Sequence, residues 1–506
     1  MFAVVGTLVA VAALIPAGAR WLRVSQREHY LAGSVTRFAW RWWSGGPLAP
    51  VMALVAVAAA AVSYTYPLAA IATALMAVLG PPRLSLRGRT SPLALTRRLK
   101  LLALVWLFLQ AVLVVIGLLL GHAAMWAAIG VCAVPVLLDT AAAILTPVEG
   151  RLVTPFITSA RKRLAQVAPT VVAITGSYGK TSTKQHVAHL VTGTRTIVAS
   201  PASYNNRAGL ARAINEQLTP GTEIFVAEMG TYGKGEIAEL CAWCPPSIAV
   251  ITAIGPVHLE RFKTEDAIVA AKSEITRTAD VVILNVDDLR LSALADQLTQ
   301  AGGKRIIRCS ASDPTADVAV IADGARLTVA MGGVVVGDFA LPGSVQPSNL
   351  ACAWAAASEL GVAPDVALAR AATMPLVPNR LAYAQAESGV WVLDDTFNSN
   401  PAGARAALAS LTSLPAEGRR VVVTPGMVEL GPRQFEENRA FAQAIALVAS
   451  DLIIVGRTNR SALRAGASPL VPICVETREE AVGWVRSTLG PGDAVLYEND
   501  LPDHYR

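Results

Sequence analysis

Cysteine is scarce and scattered: Cys132, Cys241, Cys244, Cys309, Cys352 and Cys474 are all that 506 residues hold. The one close pair, Cys241-Ala-Trp-Cys244, has neither a second pair nor a nearby histidine, so it completes no zinc site and reads as a structural pair in a reducing compartment. Acidic charge is nearly missing from the front of the chain. Residues 1–165 carry fifteen Lys or Arg against three acids, Glu28, Asp139 and Glu149, which leaves this part near about +12 and the rest near about −6. The pI of 9.1 therefore describes basic loops around an apolar region, not a nucleic-acid surface, and no nucleic-acid partner is expected. Charge is also missing inside the apolar stretches: residues 46–80 contain 35 positions without one charged side chain. Asp139 is the one acid in such a stretch, either near an interface or serving protons or substrate. No chain of buried charges accompanies it, which argues against a transporter.

What is abundant is apolar residues, at 53%. Residues 2–19 form an apolar run followed by Arg20, Arg23 and Arg27, a charge order that fits a retained signal anchor better than a cleaved signal. The block 46–80 suits a tight pair of helices turning near Tyr64 to Pro67, and 101–120 with 123–147 suits another. The expectation is a helical membrane region of about five spans. Loops 20–45, 81–100 and 150–165 are all basic, so the positive-inside rule puts them and everything after residue 150 in the cytoplasm, giving a multi-pass protein of the cell membrane. Trp21, Trp40, Trp42 and Trp43 lie at span edges, where indoles prefer the interface. The expected organisation is a membrane anchor over 1–150, a basic linker over 151–168, a nucleotide-binding α/β domain with a parallel sheet over 169–376, and a Rossmann-like α/β domain over 377–506.

The β-branched run Val171–Thr175 suits a buried parallel strand, and Thr181–Val191 has helical character. Between them, Gly176, Ser177, Tyr178, Gly179, Lys180, Thr181 and Ser182 form a strand-to-helix phosphate loop. Backbone N–H groups and the helix N-terminus favour phosphate, Lys180 can neutralise it, and Thr181 can offer its hydroxyl to magnesium. The first glycine of the generic pattern is missing, since Ile174 stands in its place. Such a loop serves either a transport ATPase or a ligase that activates a carboxylate with ATP. Downstream residues discriminate. Glu228 closes the apolar strand in "IFVAEMG", His258 lies just past another in "IAVITAIGPVHLERF", and Lys272 follows on a helix in "AIVAAKSEI". Strand ends are where α/β sheets place ligand-handling groups. Asp287 and Asp288 in "LNVDD", and Asp394 and Asp395 in "VWVLDD", repeat that pattern.

The runs "ITGSYGKTSTK", "YNNRAGL", "AEMGTYGKGEIAEL", "AVITAIGPVHLERF", "AAKSEI", "LNVDD", "PNRL", "DDTFNSNP" and "GMVELG" together resemble the Mur ligase family, closest to its D-alanyl-D-alanine-adding branch. The shortened phosphate loop is also the family's form. The resemblance implies an ATP-dependent amide ligase. ATP phosphorylates a carboxylate, and an amine from an amino acid or short peptide then displaces phosphate from the acyl phosphate. It implies Lys180 and Thr181 on the phosphates and a first magnesium, Glu228 supporting that metal, His258 holding a second, and Lys272 carbamylated as an anionic metal ligand. By the same resemblance Asn349 recognises adenine, Arg380 the transferring phosphate and Asp395 the ribose. Asn205 and Asn206 contact substrate and phosphate, and Asn398 sits near the amine or adenine. Closure over ATP requires a hinge near residues 376–380.

Three departures bear on the substrate. Apolar helices stand where the family has its UDP-sugar-binding domain, which makes a lipid-linked carboxylate acceptor at the membrane the natural expectation. "LPGSVQPSN" replaces the family's His-Asn pair before Asn349. Glu498, Asp500 and Asp503 make the last segment acidic where the dipeptide-adding branch is basic, and an acidic edge better receives an amine than a carboxylate. The first expectation is cell-envelope, peptidoglycan-type amide synthesis; the others are a poly-γ-glutamate-type polymer ligase and, from another class, a membrane transport ATPase.

Overall fold

Backbone N–H and C=O groups in a long apolar segment must pair within that segment, and residues 1–152 meet this demand with helices. The computed structural model describes all residues except 85–92, 203, 258, 325, 341–344, 376–381, 397–398, 502–503 and 506. The chain forms two units, Met1–Leu152 with Leu501–Arg506, and Val153–Asp500.

In the first unit, Phe2–Arg27 and Arg97–Leu119 are each long and apolar enough to cross a membrane. The uncharged block becomes the helices Leu48–Val62 and Pro67–Leu79, which turn where expected, but each falls short of the ~20 residues that a span needs. The helix Ala123–Cys132 bends by 75° into Val134–Val167, where Pro135 at the second helical position lacks the N–H that would continue the ladder. Among the described residues, two helices are thus long and apolar enough to be spans, or up to four if each bent pair counts as one; five were expected.

Polar side chains close the breaks between these helices. Arg20 is buried and donates to the carbonyls of Ala77 (3.0 Å), Val78 (3.0 Å), Gly80 and Leu84 (3.0 Å), at and just beyond the end of helix Ala70–Leu79. The Asp139 carboxylate accepts from the N–H groups of Val35 (3.2 Å) and Thr36 (2.7 Å), capping the helix Ser34–Trp43 from outside it. Trp21 and Trp42 are buried against other helices of this unit, whereas Trp40 is exposed. Trp42 donates its indole N–H to the His504 carbonyl at 2.7 Å, and the His504 ring meets Glu28 at 2.9 Å.

The second unit holds two sheets. The first contains β1 (Thr170–Thr175), β2 (Ile197–Ala199), β3 (Ile224–Glu228), β4 (Ile248–Ile251), β5 (Val281–Asn285), β6 (Arg305–Ser310), β7 (Val318–Asp323), β8 (Arg326–Met331) and β9 (Val334–Ala340), in the order β2-β3-β1-β4-β5-β6-β7-β8-β9. It is parallel through β7 and antiparallel beyond. Its central strands β1, β3, β4 and β5 are buried on both faces, as continuous Val/Ile runs predict. Helices Lys180–Val191 and Pro347–Glu359 cover one face, and helices including Arg207–Gln217 and Leu289–Ala301 cover the other. The stretch expected as a basic linker is the end of helix Val134–Val167. Ile157, Ala160, Leu164 and Val167 recur at helical spacing and pack into this core, so residues 153–167 belong to the second unit.

The second sheet contains β10 (Ala382–Gln385), β11 (Trp391–Asp395), β12 (Arg420–Thr424), β13 (Asp451–Val455), β14 (Ile473–Val475) and β15 (Ala494–Glu498), in the order β10-β11-β15-β12-β13-β14. All pairs except β10–β11 are parallel. Helix Arg478–Thr488 packs on one face and helices Pro401–Ser413 and Gln434–Val448 on the other. The expected α/β architecture is present in both halves.

The capping role of Asp139 predicts that Asp139→Ala lowers the melting temperature in detergent by the equivalent of about 1–2 kcal/mol, while Asp139→Asn restores most of it. Loss of ATP turnover in Asp139→Asn at unchanged stability would instead assign Asp139 a proton or substrate role.

Candidate active site

The phosphate loop leaves β1 at Thr175 and enters the helix at Lys180. Gly179 takes φ +78° at the helix cap, and a Cβ there would lie 2.0 Å from Asn349 Oδ1, so glycine is what lets Asn349 rest against the loop. Residues following β4 hold the loop in shape. The Ser177 N–H donates to the Ala253 carbonyl (2.8 Å), the Gly255 N–H donates to the Ser177 hydroxyl (3.0 Å), and the Thr252 hydroxyl donates to the Tyr178 carbonyl. The Tyr178 ring fills the space over Gly255, and burial pushes its phenol pKa up. Lys180 curls back, donating to the carbonyls of Gly176 (2.7 Å) and Ser177 (3.4 Å). Ser182 is half-buried in the helix's first turn.

Glu228 is where these elements meet. It ends β3 in register with Ile174 of β1, and its buried carboxylate accepts from the Thr181 hydroxyl (3.0 Å), the Lys184 ammonium (2.9 Å) and the Asn205 amide (3.2 Å). Burial alone raises a carboxyl pKa, but the charges of Lys184 and Lys180 and the bonds from Lys184 and Asn205 outweigh it, so Glu228 titrates below its ordinary value. It is ionised. Thr181, Glu228 and Asn205 were legible in the sequence. Lys184 was missed, although its place four residues after Lys180 puts both ammoniums on one helix face. Asn206 takes a different part from Asn205: its side-chain carbonyl accepts from the Gly209 N–H (3.0 Å) and caps helix Arg207–Gln217.

The donor set suits magnesium. Thr181 Oγ1 and Glu228 Oε2 lie 3.0 Å apart, close to the ~3.0 Å between neighbouring ligands of an octahedral ion with Mg–O of about 2.1 Å. No group of three His, Cys, Asp or Glu stands together among the described residues. An ion that draws most of its ligands from phosphates and water needs no such cage.

Lys272 is buried on helix Glu265–Ser273 and makes no hydrogen bond or ion pair among the described residues. Burial, then the charge of Lys180, drives its pKa well down, which favours the neutral amine. Two residues on, Glu274 was missed by sequence reasoning. It accepts from the N–H groups of Gly235 (2.8 Å) and Ala238 (3.0 Å), tying "AAKSEI" to "TYGKGEI". Asp287 and Asp288 are structural: the first holds the hydroxyl of Ser312 (2.6 Å) and the N–H of Ala311 (2.7 Å), the second the N–H of Ile254 (3.1 Å). His258, Arg380, Asn398 and the 376–380 hinge lie outside the described residues.

In the second sheet Asp395 ends β11 and pairs in register with Glu498 at the end of β15. The acidic edge expected from Glu498, Asp500 and Asp503 is not formed by the first two. Glu498 is fully buried, and Asp500 is paired with Arg478 at 2.6 Å; Asp503 lies outside the described residues. Arg433 of this half reaches Glu265 at 2.8 Å, on the helix that carries Lys272.

Comparison with known proteins places these features. Residues 174–357 match the family profile "Mur ligase middle domain", and residues 379–497 match "Mur ligase, glutamate ligase domain". The UDP-N-acetylmuramoyl-tripeptide--D-alanyl-D-alanine ligase of Mycobacterium leprae is 33% identical over 364 residues, covering 65% of this chain and 70% of the relative. The same-named ligase of Mycobacterium tuberculosis strain H37Rv is 33% identical over 369 residues, covering 65% and 69%. In fold, the MurF ligase of Thermotoga maritima in complex with ADP superposes with a TM-score of 0.61 at 24% identity, covering 69% of this chain and 80% of that one. These matches support the peptidoglycan-type amide ligase over a poly-γ-glutamate-type polymer amide ligase or a transport ATPase. The chain belongs to the Mur ligase family of ATP-dependent amide ligases.

Proposed function

We propose that the protein joins an amine to an ATP-activated carboxylate in peptidoglycan-type peptide synthesis, anchored by its apolar helices at the cytoplasmic membrane face. The observation that carries the reading is the convergence of Thr181, Lys184 and Asn205 on Glu228, beside the Lys180 loop and the buried Lys272. These relatives take a UDP-N-acetylmuramoyl-tripeptide and D-alanyl-D-alanine by name. Here the acceptor is proposed to be a precursor carboxylate that is lipid-linked, because the chain outside the family match includes two helices fit to cross a membrane. A multi-pass arrangement of up to five spans, with its basic loops in the cytoplasm, belongs to this proposal.

The roles follow from charge. Thr181 and Glu228 would hold magnesium, which supplies charge neutralisation between carboxylate and phosphate when bound. Lys180, released from its own loop carbonyls, binds phosphate oxygens. Lys184 fixes the Glu228 carboxylate in place and balances its charge. A neutral Lys272 amine is the form that adds carbon dioxide, and the resulting carbamate would turn a repelling ammonium into an oxygen ligand for the metal. His258 is assigned the second metal and Arg380 the transferring phosphate. Asn349 and Asp395 are assigned adenine and ribose, and Asn398 the amine. Asn205 acts through Glu228, and Asn206 by starting the helix behind it.

Purified protein in detergent, given ATP, magnesium, UDP-N-acetylmuramoyl-tripeptide or its lipid-linked form, and D-alanyl-D-alanine or other amines, is expected to release ADP and an amide of matching mass. Phosphate release without any acceptor requirement, unchanged by Lys272→Ala, would overturn the assignment. Labelling with 13C-bicarbonate is expected to give a carbamate carbon resonance that disappears in Lys272→Ala, independently of turnover.

Lys184→Met leaves Glu228 buried without its counter-charge and is expected to cost about 3 kcal/mol in thermal or chemical unfolding. The double variant Lys184→Met/Glu228→Leu should recover most of that loss, and an additive double variant would show that the pair is not coupled.

A further inference from the structure

Glu498 has no counter-ion among the described residues, yet it is fully buried at the carboxyl end of β15. That end lies between β11 and β12, at the carboxyl ends of three adjacent parallel strands, where open α/β sheets place ligand-handling groups. Both carboxyl oxygens are engaged. The Ser399 hydroxyl, from the "DDTFNSNP" loop, meets Oε1, and the Thr424 hydroxyl, at the end of β12, donates to Oε2 at 2.8 Å. Thr424 in turn accepts from the Gly426 N–H at 2.9 Å, and Asn499 donates its side-chain amide to the Gly426 carbonyl at 2.6 Å. The Asn499 N–H donates to the Asp395 carbonyl at 3.0 Å. Two consecutive residues thus grip the "DDTFNSNP" loop on one side and the "GMVELG" loop on the other.

We infer that Glu498 is a positioning residue for the amine half of the site, holding Ser399 in register with the 424–430 loop through Thr424. The inference rests on the assignment of the amine to the C-terminal sheet made above. The charged group facing Glu498 is Asp395 on β11; among the described residues the hydrogen-bond partners of Glu498 are the hydroxyls of Thr424 and Ser399. Burial, tempered by the Thr424 bond and reinforced by Asp395, raises its carboxyl pKa to about 8. A neutral carboxyl fits two hydroxyl partners and a neighbouring acid; an ionised one adds a second negative charge beside Asp395. The folded-state value lies above the ordinary 4.5. Its stabilising contribution is therefore complete below 4.5 and is lost as pH rises to about 8.

The test uses the full chain in detergent and the variants Glu498→Gln and Glu498→Ala. Hydrogen exchange of Glu498→Ala is expected to accelerate about tenfold in 396–400 and 424–430 and to stay unchanged in β13. Glu498→Gln, which mimics the neutral acid, should match the wild type at low pH and surpass its melting temperature increasingly from pH 4.5 to about 8. With D-alanyl-D-alanine, or whichever amine is accepted, Glu498→Ala should raise the amine KM and leave that of ATP in place. Wild-type exchange in both loops of Glu498→Ala, or melting curves of wild type and Glu498→Gln that keep the same separation at every pH, would overturn the inference. Should Glu498→Ala fail to fold, the Glu498→Gln melting series decides it. Absence of amide product from the wild type would count against the substrate reading alone, since exchange and melting need no substrate.

Discussion

A carboxylate taken out of water must find positive charge and hydrogen-bond donors, and the burial of Glu228 imposes that demand at the end of β3. Its answer fixes the geometry of the site. Thr181 and Lys184 both come from the helix that the phosphate loop opens, so satisfying Glu228 sets the rotation of that helix against the sheet. Once the helix is set, Gly179 and Lys180 have one placement. Asn205 brings in the loop before the next helix, which Asn206 then starts. A single buried charge thereby orders three segments that are separate in sequence.

Three buried titratable groups in the second unit show how neighbours decide charge. Glu228 has two lysines near it and stays ionised. Lys272 has a lysine near it, no acid partner among the described residues, and is pushed toward the neutral amine. Glu498 faces another acid and two hydroxyls and is pushed toward the neutral acid. Burial penalises the charged form of all three, and only the first has enough opposite charge to reverse it. The second unit therefore holds an ionised carboxylate, a neutral amine and a proton-bearing carboxyl.

Much of this was legible in the sequence because it is local. A β-branched run followed by glycine, lysine and threonine gives a strand, a phosphate loop and a helix in that order, and Glu228 and Asp395 announce themselves as acids closing apolar strands. What was not legible depends on tertiary partners. Nothing local marks Lys184 as the counter-ion of Glu228, or Glu274 as a cap for a helix some forty positions earlier. The acidic chain end looked like a charged rim because composition does not say which way a side chain turns; Glu498 turns inward and Asp500 is neutralised by Arg478. The charges of 151–168 masked the helical spacing of Ile157, Ala160, Leu164 and Val167. Counting apolar residues likewise gave five spans because it carries no information about the bend at Pro135 or about helices too short to cross alone.

The helical unit adds its own argument about where the chemistry lies. A conducting path requires polar groups with hydrogen-bonding capacity to spare. Four of the buried polar side chains here spend theirs on backbone: Arg20 on carbonyls around a helix end, Asp139 on the start of another helix, Thr73 on the Ala56 carbonyl and Gln110 on the Gly130 carbonyl. Each repairs a place where a helix ends or packs closely, as an apolar environment demands. A lone acid such as Asp139 then needs no proton to carry. In the second unit, Lys272 has no counter-charge among the described residues, and Lys180 donates to loop carbonyls that it can release. Nucleotide energy has chemical groups to act on there.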